Sequence, residues 1–184
     1  MPYLKRVPIL LAMLMASNAA PAAANDSEFS GSWTGLLCPA GVQAGPDKCS
    51  SFVLALFQKQ GKLCGSHVFA TVGASQMDEG GVPSLSGVIA NGTATVAVES
   101  SRAAPPVRLK GELSLSNGVL RWQRLDSPPG DYLLPMSAKL TRSPHGTLFS
   151  PLFEQRLSAA CSSMLDTAAE PPRQNDAAPA AKPK

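Results

Sequence analysis

The sequence predicts an all-β protein: an antiparallel eight-stranded meander closed as an up-and-down β-barrel, with one C-terminal α-helix packed on it. Three observations lead there. About eight short apolar runs follow one another between Ser30 and Arg142, most with the strand period of two. Asn91-Gly92 and Asn117-Gly118 carry the strongest short hairpin signal, and strands joined by tight turns are neighbours in an antiparallel sheet. From Leu148 onward the apolar residues recur every three or four positions, as on one face of a helix. Eight such strands close readily into a barrel because closure removes exposed edges; a two-sheet sandwich is the alternative this pattern leaves open.

Each element has its own justification. Gly31 to Leu37 opens the series, with Trp33, Gly35 and Leu37 on one face. Phe52 to Phe57 is continuously apolar, and Gln60-Gly61-Lys62 turns the chain into Leu63 to Val72. Gly73 to Pro83 is Gly-rich and reads as a long loop. Leu85 to Ala90 and Thr93 to Glu99 flank Asn91-Gly92. Val107 to Leu115 alternates, with Val107, Leu109, Leu113 and Leu115 inward and Arg108, Lys110, Glu112 and Ser114 outward. Val119 to Leu125 carries Trp122, and Tyr132 to Leu140 completes the set after Ser127-Pro128-Pro129-Gly130. Phe153, Leu157, Ala160, Cys161, Met164 and Leu165 define a helix over 150–165, with Ser150 as N-cap and Pro151 in its first turn.

The two ends of the chain differ from this body. Residues 1–24 read as a secretory signal peptide: Lys5 and Arg6 lead an apolar stretch from Val7 to Met15, and Ala22-Ala23-Ala24 fits a cleavage site. That stretch is short of the roughly 20 residues a membrane span requires. The tail over 167–184 holds 6 Ala and 4 Pro and no large apolar residue, so it is expected to be disordered. The domain proper is therefore 25–166, with 11 Lys+Arg against 11 Asp+Glu, and a periplasmic or secreted location is expected. A neutral body without a basic stripe argues against nucleic-acid binding.

Cys38, Cys49, Cys64 and Cys161 are an even set in an exported chain, which favours disulfides over zinc, and no C-x-x-C spacing is present. Three connectivities are open. Cys38 and Cys49 bracket a Pro-Gly-rich loop, which favours their pairing and leaves Cys64 with Cys161.

No catalytic or cofactor signature is present: there is no G-x-S-x-G, H-E-x-x-H, phosphate loop or G-x-G-x-x-G. The expectation is a protein that is not an enzyme and carries no cofactor and no metal. His67 shares a strand face with Leu63 and Phe69 and reads as a packed residue, while His145 sits in loop chemistry. Asp78-Glu79, beside Gly80-Gly81, could bind a hard cation, but adjacent carboxylates in a Gly-rich loop read first as solvated. A triad of a serine with His67 and Asp78 is arithmetically possible and has no supporting motif. Arg108, Lys110 and Arg121 can share an outer face, read as a solvated sheet surface before a docking strip.

The opening Phe29-Ser30-Gly31-Ser32-Trp33-Thr34-Gly35 resembles the G-x-W signature of the first strand in lipocalin-like, calycin-type barrels. The resemblance implies that Gly31 and Trp33 are structural, and that Arg142 stands for the terminal-strand Arg that packs on the Trp. Together with the apolar inner faces, it implies a small, largely apolar ligand in the barrel mouth. The expected lining is Trp33, Phe52, Leu54, His67, Phe69, Val96, Leu109, Leu113, Trp122 and Met136. The other expectation is an interaction or inhibitor protein acting on an envelope or secreted partner through rigid loops, such as 38–49 and 73–83.

Overall fold

Three tight turns set the topology. Gln60-Gly61, Asn91-Gly92 and Asn117-Gly118 all take positive φ at both positions, the twist that joins two antiparallel strands without splaying them. The computed structural model describes residues 28–143 and 149–167. Its strands are β1 (Gly31–Leu37), β2 (Ser50–Lys59), β3 (Lys62–Ala70), β4 (Met77–Glu79), β5 (Leu85–Ala90), β6 (Thr93–Ser100), β7 (Val107–Ser116), β8 (Val119–Arg124) and β9 (Ser137–Arg142), followed by helix α1 (Pro151–Thr167). The sheet order β2-β1-β9-β8-β7-β6-β5-β3-β4, with β2 also paired to β3, closes eight strands into an antiparallel barrel. The short β4 is a ninth strand laid on the end of β3.

The register carries the alternating apolar residues inward in rows. Trp33, Leu54 and His67 lie opposite one another across β1, β2 and β3, and Phe52 lies opposite Phe69. Across β7, β8 and β9 the corresponding row is Leu113, Trp122 and Ala138. The two ends differ. One end is closed by the three tight turns and by Trp33; the other carries the long connections 38–49, 71–84, 101–106 and 125–136. Phe52 packs on Phe69 and edge-on to Trp122 toward that loop end, with centroids 6.3 and 5.8 Å apart.

Helix α1 starts where its cap residues place it: the Phe153 amide donates to Ser150 Oγ at 3.3 Å. Leu157, Cys161 and Leu165, spaced by four, form its buried stripe on Ala55 and Cys64 of the barrel wall. The Cys64–Cys161 disulfide fixes that face, and Cys38–Cys49 pins the β1–β2 loop, so both pairings are those the spacing favoured.

Three sequence expectations are corrected. The run Tyr132 to Leu140 is strand only from Ser137; the preceding 125–136 crosses the loop end without ladder pairing, because its prolines remove donors. The Gly73 to Pro83 stretch is not all loop: it contains β4, and Asp78 within it is fully buried. Thr167, assigned to the tail, is the last residue of α1. The signal peptide, His145 and the rest of the tail lie outside the described residues.

Candidate functional site

The chemistry-bearing side chains meet where β3 changes partner. β3 pairs with β5 through Lys62 to Gly65 and with β4 through Val68 to Ala70, leaving Ser66 and His67 unpaired on that side. Residues 80–84 fill the gap. The Ser84 amide donates to the Gly65 carbonyl at 3.0 Å, and the His67 amide donates to Ser84 Oγ at 3.2 Å. Ser84 Oγ also lies 2.9 Å from His67 Nδ1 and 3.2 Å from Ser66 Oγ.

On the other side of the imidazole, Nε2 faces Asp78 Oδ1 at 3.5 Å without making a hydrogen bond, and both side chains are fully buried. Asp78 then reaches across the loop end. Oδ1 accepts from Ser100 Oγ at 2.7 Å, and Oδ2 accepts from the Leu133 amide at 2.8 Å. Burial disfavours its charge, but the facing His67 together with the Leu133 and Ser100 donors outweighs that cost. The carboxyl therefore titrates below the usual aspartate range. The expectation that Asp78 is solvated is thus corrected: it has three partners from three different segments, and a buried carboxylate persists only when so supplied.

The fold therefore assembles Ser84, His67 and Asp78, a combination no sequence motif marks. Its geometry supports a structural role. Ser84 is 5% exposed, and its oxygen already meets Ser66 and both the ring and amide of His67. Gly80 packs so closely over it that a Cβ there would stand 1.9 Å from the Ser84 Cβ. A nucleophile requires a free oxygen with an approach path, and Ser84 Oγ is already engaged by Ser66 and His67.

Nine of the ten residues expected to line the barrel are inside it: Trp33, Phe52, Leu54, His67, Phe69, Val96, Leu109, Leu113 and Trp122 are 0–7% exposed. A ligand-sized void would leave its walls reachable by a water-sized sphere, so these side chains fill the space between them, as eight-stranded barrels allow. Met136 is the exception at 54% exposed; it precedes β9 at the rim, with its sulfur against the Arg124 guanidinium.

The mouth itself is covered by 131–136. Leu134 is buried in the core, its carbonyl accepts from Arg124 Nη1 at 2.6 Å, and the Pro135 carbonyl accepts from Trp122 Nε1 at 2.8 Å. Arg124 also lies over the Tyr132 ring, 5.0 Å from its centroid. Arg124 lies opposite Gly111 and two positions after the inward Trp122, on the same face of β8.

Of the eight exposed large apolar side chains among the described residues, six lie at the loop end; Val88 in β5 and Leu152 in α1 do not. Leu36, Val42, Val72, Met77, Leu125 and Met136, each 38–54% exposed, all lie in or beside the long connections. The tight turns contribute no large exposed apolar residue among those described. Elsewhere, an outer groove of about 790 Å³ runs between β1–β2 and α1, floored by Ala55, Leu56 and Leu157. Arg108, Lys110 and Arg121 do share the outer face, where Arg108 stands opposite Glu99 across β6–β7.

At the opposite end, Arg142 stacks on Trp33 and donates to the Ser30 and Glu28 carbonyls. The closed eight-stranded antiparallel barrel with this stacking is consistent with a calycin-like architecture. Compared with known protein families, curated proteins and solved structures, the chain matches none.

Proposed function

We propose that this is an exported, non-enzymatic interaction protein, of the inhibitor or envelope-accessory kind, that grips a protein partner through the loop end of a solid barrel. The observation that carries this reading is the pairing of a filled interior with six of the eight exposed large apolar side chains at one end of the barrel. Exposed apolar side chains grouped on one face, beside rigid elements, suit a contact surface better than scattered ones do. Rigidity adds to it: the Cys38–Cys49 bridge pins the loop carrying Val42, which lowers the ordering cost of association. Two disulfides fit an oxidising compartment, in keeping with export. A small apolar ligand inside the barrel would need the space that Leu134, Phe52 and Trp122 occupy.

The test is site-specific photo-crosslinking in the native envelope or secreted fraction, with probes at Val42 and Met136 and a control at Asn117 in a tight turn. The expected result is one protein partner captured from the loop end only, and lost in Val42→Glu or Met136→Glu. Saturable uptake of an apolar fluorescent probe that quenches Trp122, with no loop-end crosslink, would overturn the reading.

A further inference from the structure

We propose that residues 131–136 form a strap that opens as a unit while the barrel beneath stays closed, with Asp78 and Arg124 as its two latches. The barrel closes without the strap. The β8–β9 ladder runs from Val119–Gln123 against Ser137–Thr141, and β9 joins β1 at Trp33 and Thr34; the strap lies outside these pairings. It adds one backbone bond at its base, from the Arg124 amide to the Met136 carbonyl at 2.8 Å.

The strap's other ties run through side chains of three separate segments. Asp78 in β4 takes the Leu133 amide, Arg124 and Trp122 in β8 hold the Leu134 and Pro135 carbonyls, and Arg102 pairs with Asp131 at 3.1 Å. The last of these is bidentate, with Asp131 exposed and Arg102 22% exposed at the rim. Of the strap's own side chains only Leu134 is fully buried, while Tyr132 and Leu133 are partly so. Opening therefore releases one fully buried anchor, the partly buried Tyr132 and Leu133 packed beside it, and a few side-chain bonds, a smaller unit than the ladder, and such units open sub-globally.

The opening has a chemical consequence. It removes from Asp78 its Leu133 donor, frees the Trp122 indole N–H, and moves Asp131 and Met136 relative to Met77 and Leu125. The strap thereby controls the shape of the loop-end surface; that part rests on the interaction reading above, whereas its opening is measurable without a partner.

Native-state hydrogen exchange followed by NMR on the full, oxidised protein tests it. The Leu133 amide is expected to exchange by a denaturant-insensitive opening, at least tenfold faster than the Leu109 and Leu113 amides of β7. Asp78→Asn is expected to speed Leu133 further by about tenfold, since it weakens a charge-assisted bond, and Leu134→Ala to do the same by removing the anchor. Both variants are expected to speed the β7 amides by a similar factor, since those exchange through global unfolding, while Leu133 keeps its own faster, denaturant-insensitive opening. Exchange of Leu133 together with the β7 amides, with the same denaturant dependence in the parent protein and in Leu134→Ala, would overturn the strap while leaving the loop-end reading standing. If Asp78→Asn does not fold, Leu134→Ala alone decides between the two outcomes.

Discussion

The Arg142 guanidinium lies over the Trp33 indole, 4.4 Å from the ring centroid, and seals the tight-turn end of the barrel. Its N–H groups hold the Ser30 and Glu28 carbonyls, tying the chain entry to the last strand. Arg142→Ala is expected to cost about 1–2 kcal/mol, combining a cation–π contact with lost hydrogen bonds. Arg142→Lys, lacking the planar fork, is expected to recover less than half. Urea midpoints at constant slope check this, with an altered Trp emission as the local signature.

Asp78 makes stability depend on pH in a defined direction. Its folded pKa lies below the unfolded value, so the native state binds fewer protons than the unfolded chain. The resulting stabilisation is fully present above the ordinary aspartate pKa of about 3.9 and is lost as pH falls through the folded value. Asp78→Asn is expected to flatten the acid limb of the stability–pH curve and to lower the plateau above it. An unchanged slope below about pH 4 would refute the assignment.

Gly111 is required by Trp122. A Cβ at Gly111 would stand 2.1 Å from the indole ring, in a wall already filled by Leu109 and Leu113. Gly111→Ala is expected to destabilise by roughly 1–3 kcal/mol through overpacking. Pairing it with Trp122→Phe, which shortens the ring, is expected to cost less than the sum of the two single changes. A double-mutant cycle measures the coupling.

The two disulfides are expected to act differently. Cys64–Cys161 spans 97 residues and anchors α1, so replacing both cysteines by serine is expected to remove up to about 4–5 kcal/mol and release the helix. Cys38–Cys49 closes a span of 11 residues in an exposed loop, so its removal is expected to cost less stability while weakening partner binding. Thermal unfolding of both variants, beside crosslinking yield at Val42, separates the effects.

Much of the fold was legible because strands report their own burial. The alternation of Val107, Leu109, Leu113 and Leu115 against Arg108, Lys110 and Glu112 follows from one face being packed, and Asn91-Gly92 and Asn117-Gly118 carry the backbone conformation their turns demand. The apolar run before β9 was misread because Tyr132, Leu133 and Leu134 look like strand residues whether they pair in a ladder or cover a barrel mouth. Met136 was misplaced with them, since the inward alternation begins only at Ala138.

The sequence by itself determined the strand set, the hairpin turns, the capped helix and the favoured cysteine pairing, all properties that burial and turn geometry impose within about ten residues of chain. The tertiary structure alone decided that the interior is full, that Asp78 is buried rather than solvated, and that Arg124 holds the Leu134 carbonyl. Asp78 draws its donors from Ser100 and Leu133, 22 and 55 residues away, so no local pattern announces them. A carboxylate in a Gly-rich loop is ordinarily solvated because desolvation is costly, and only barrel closure brings together the donors that offset that cost.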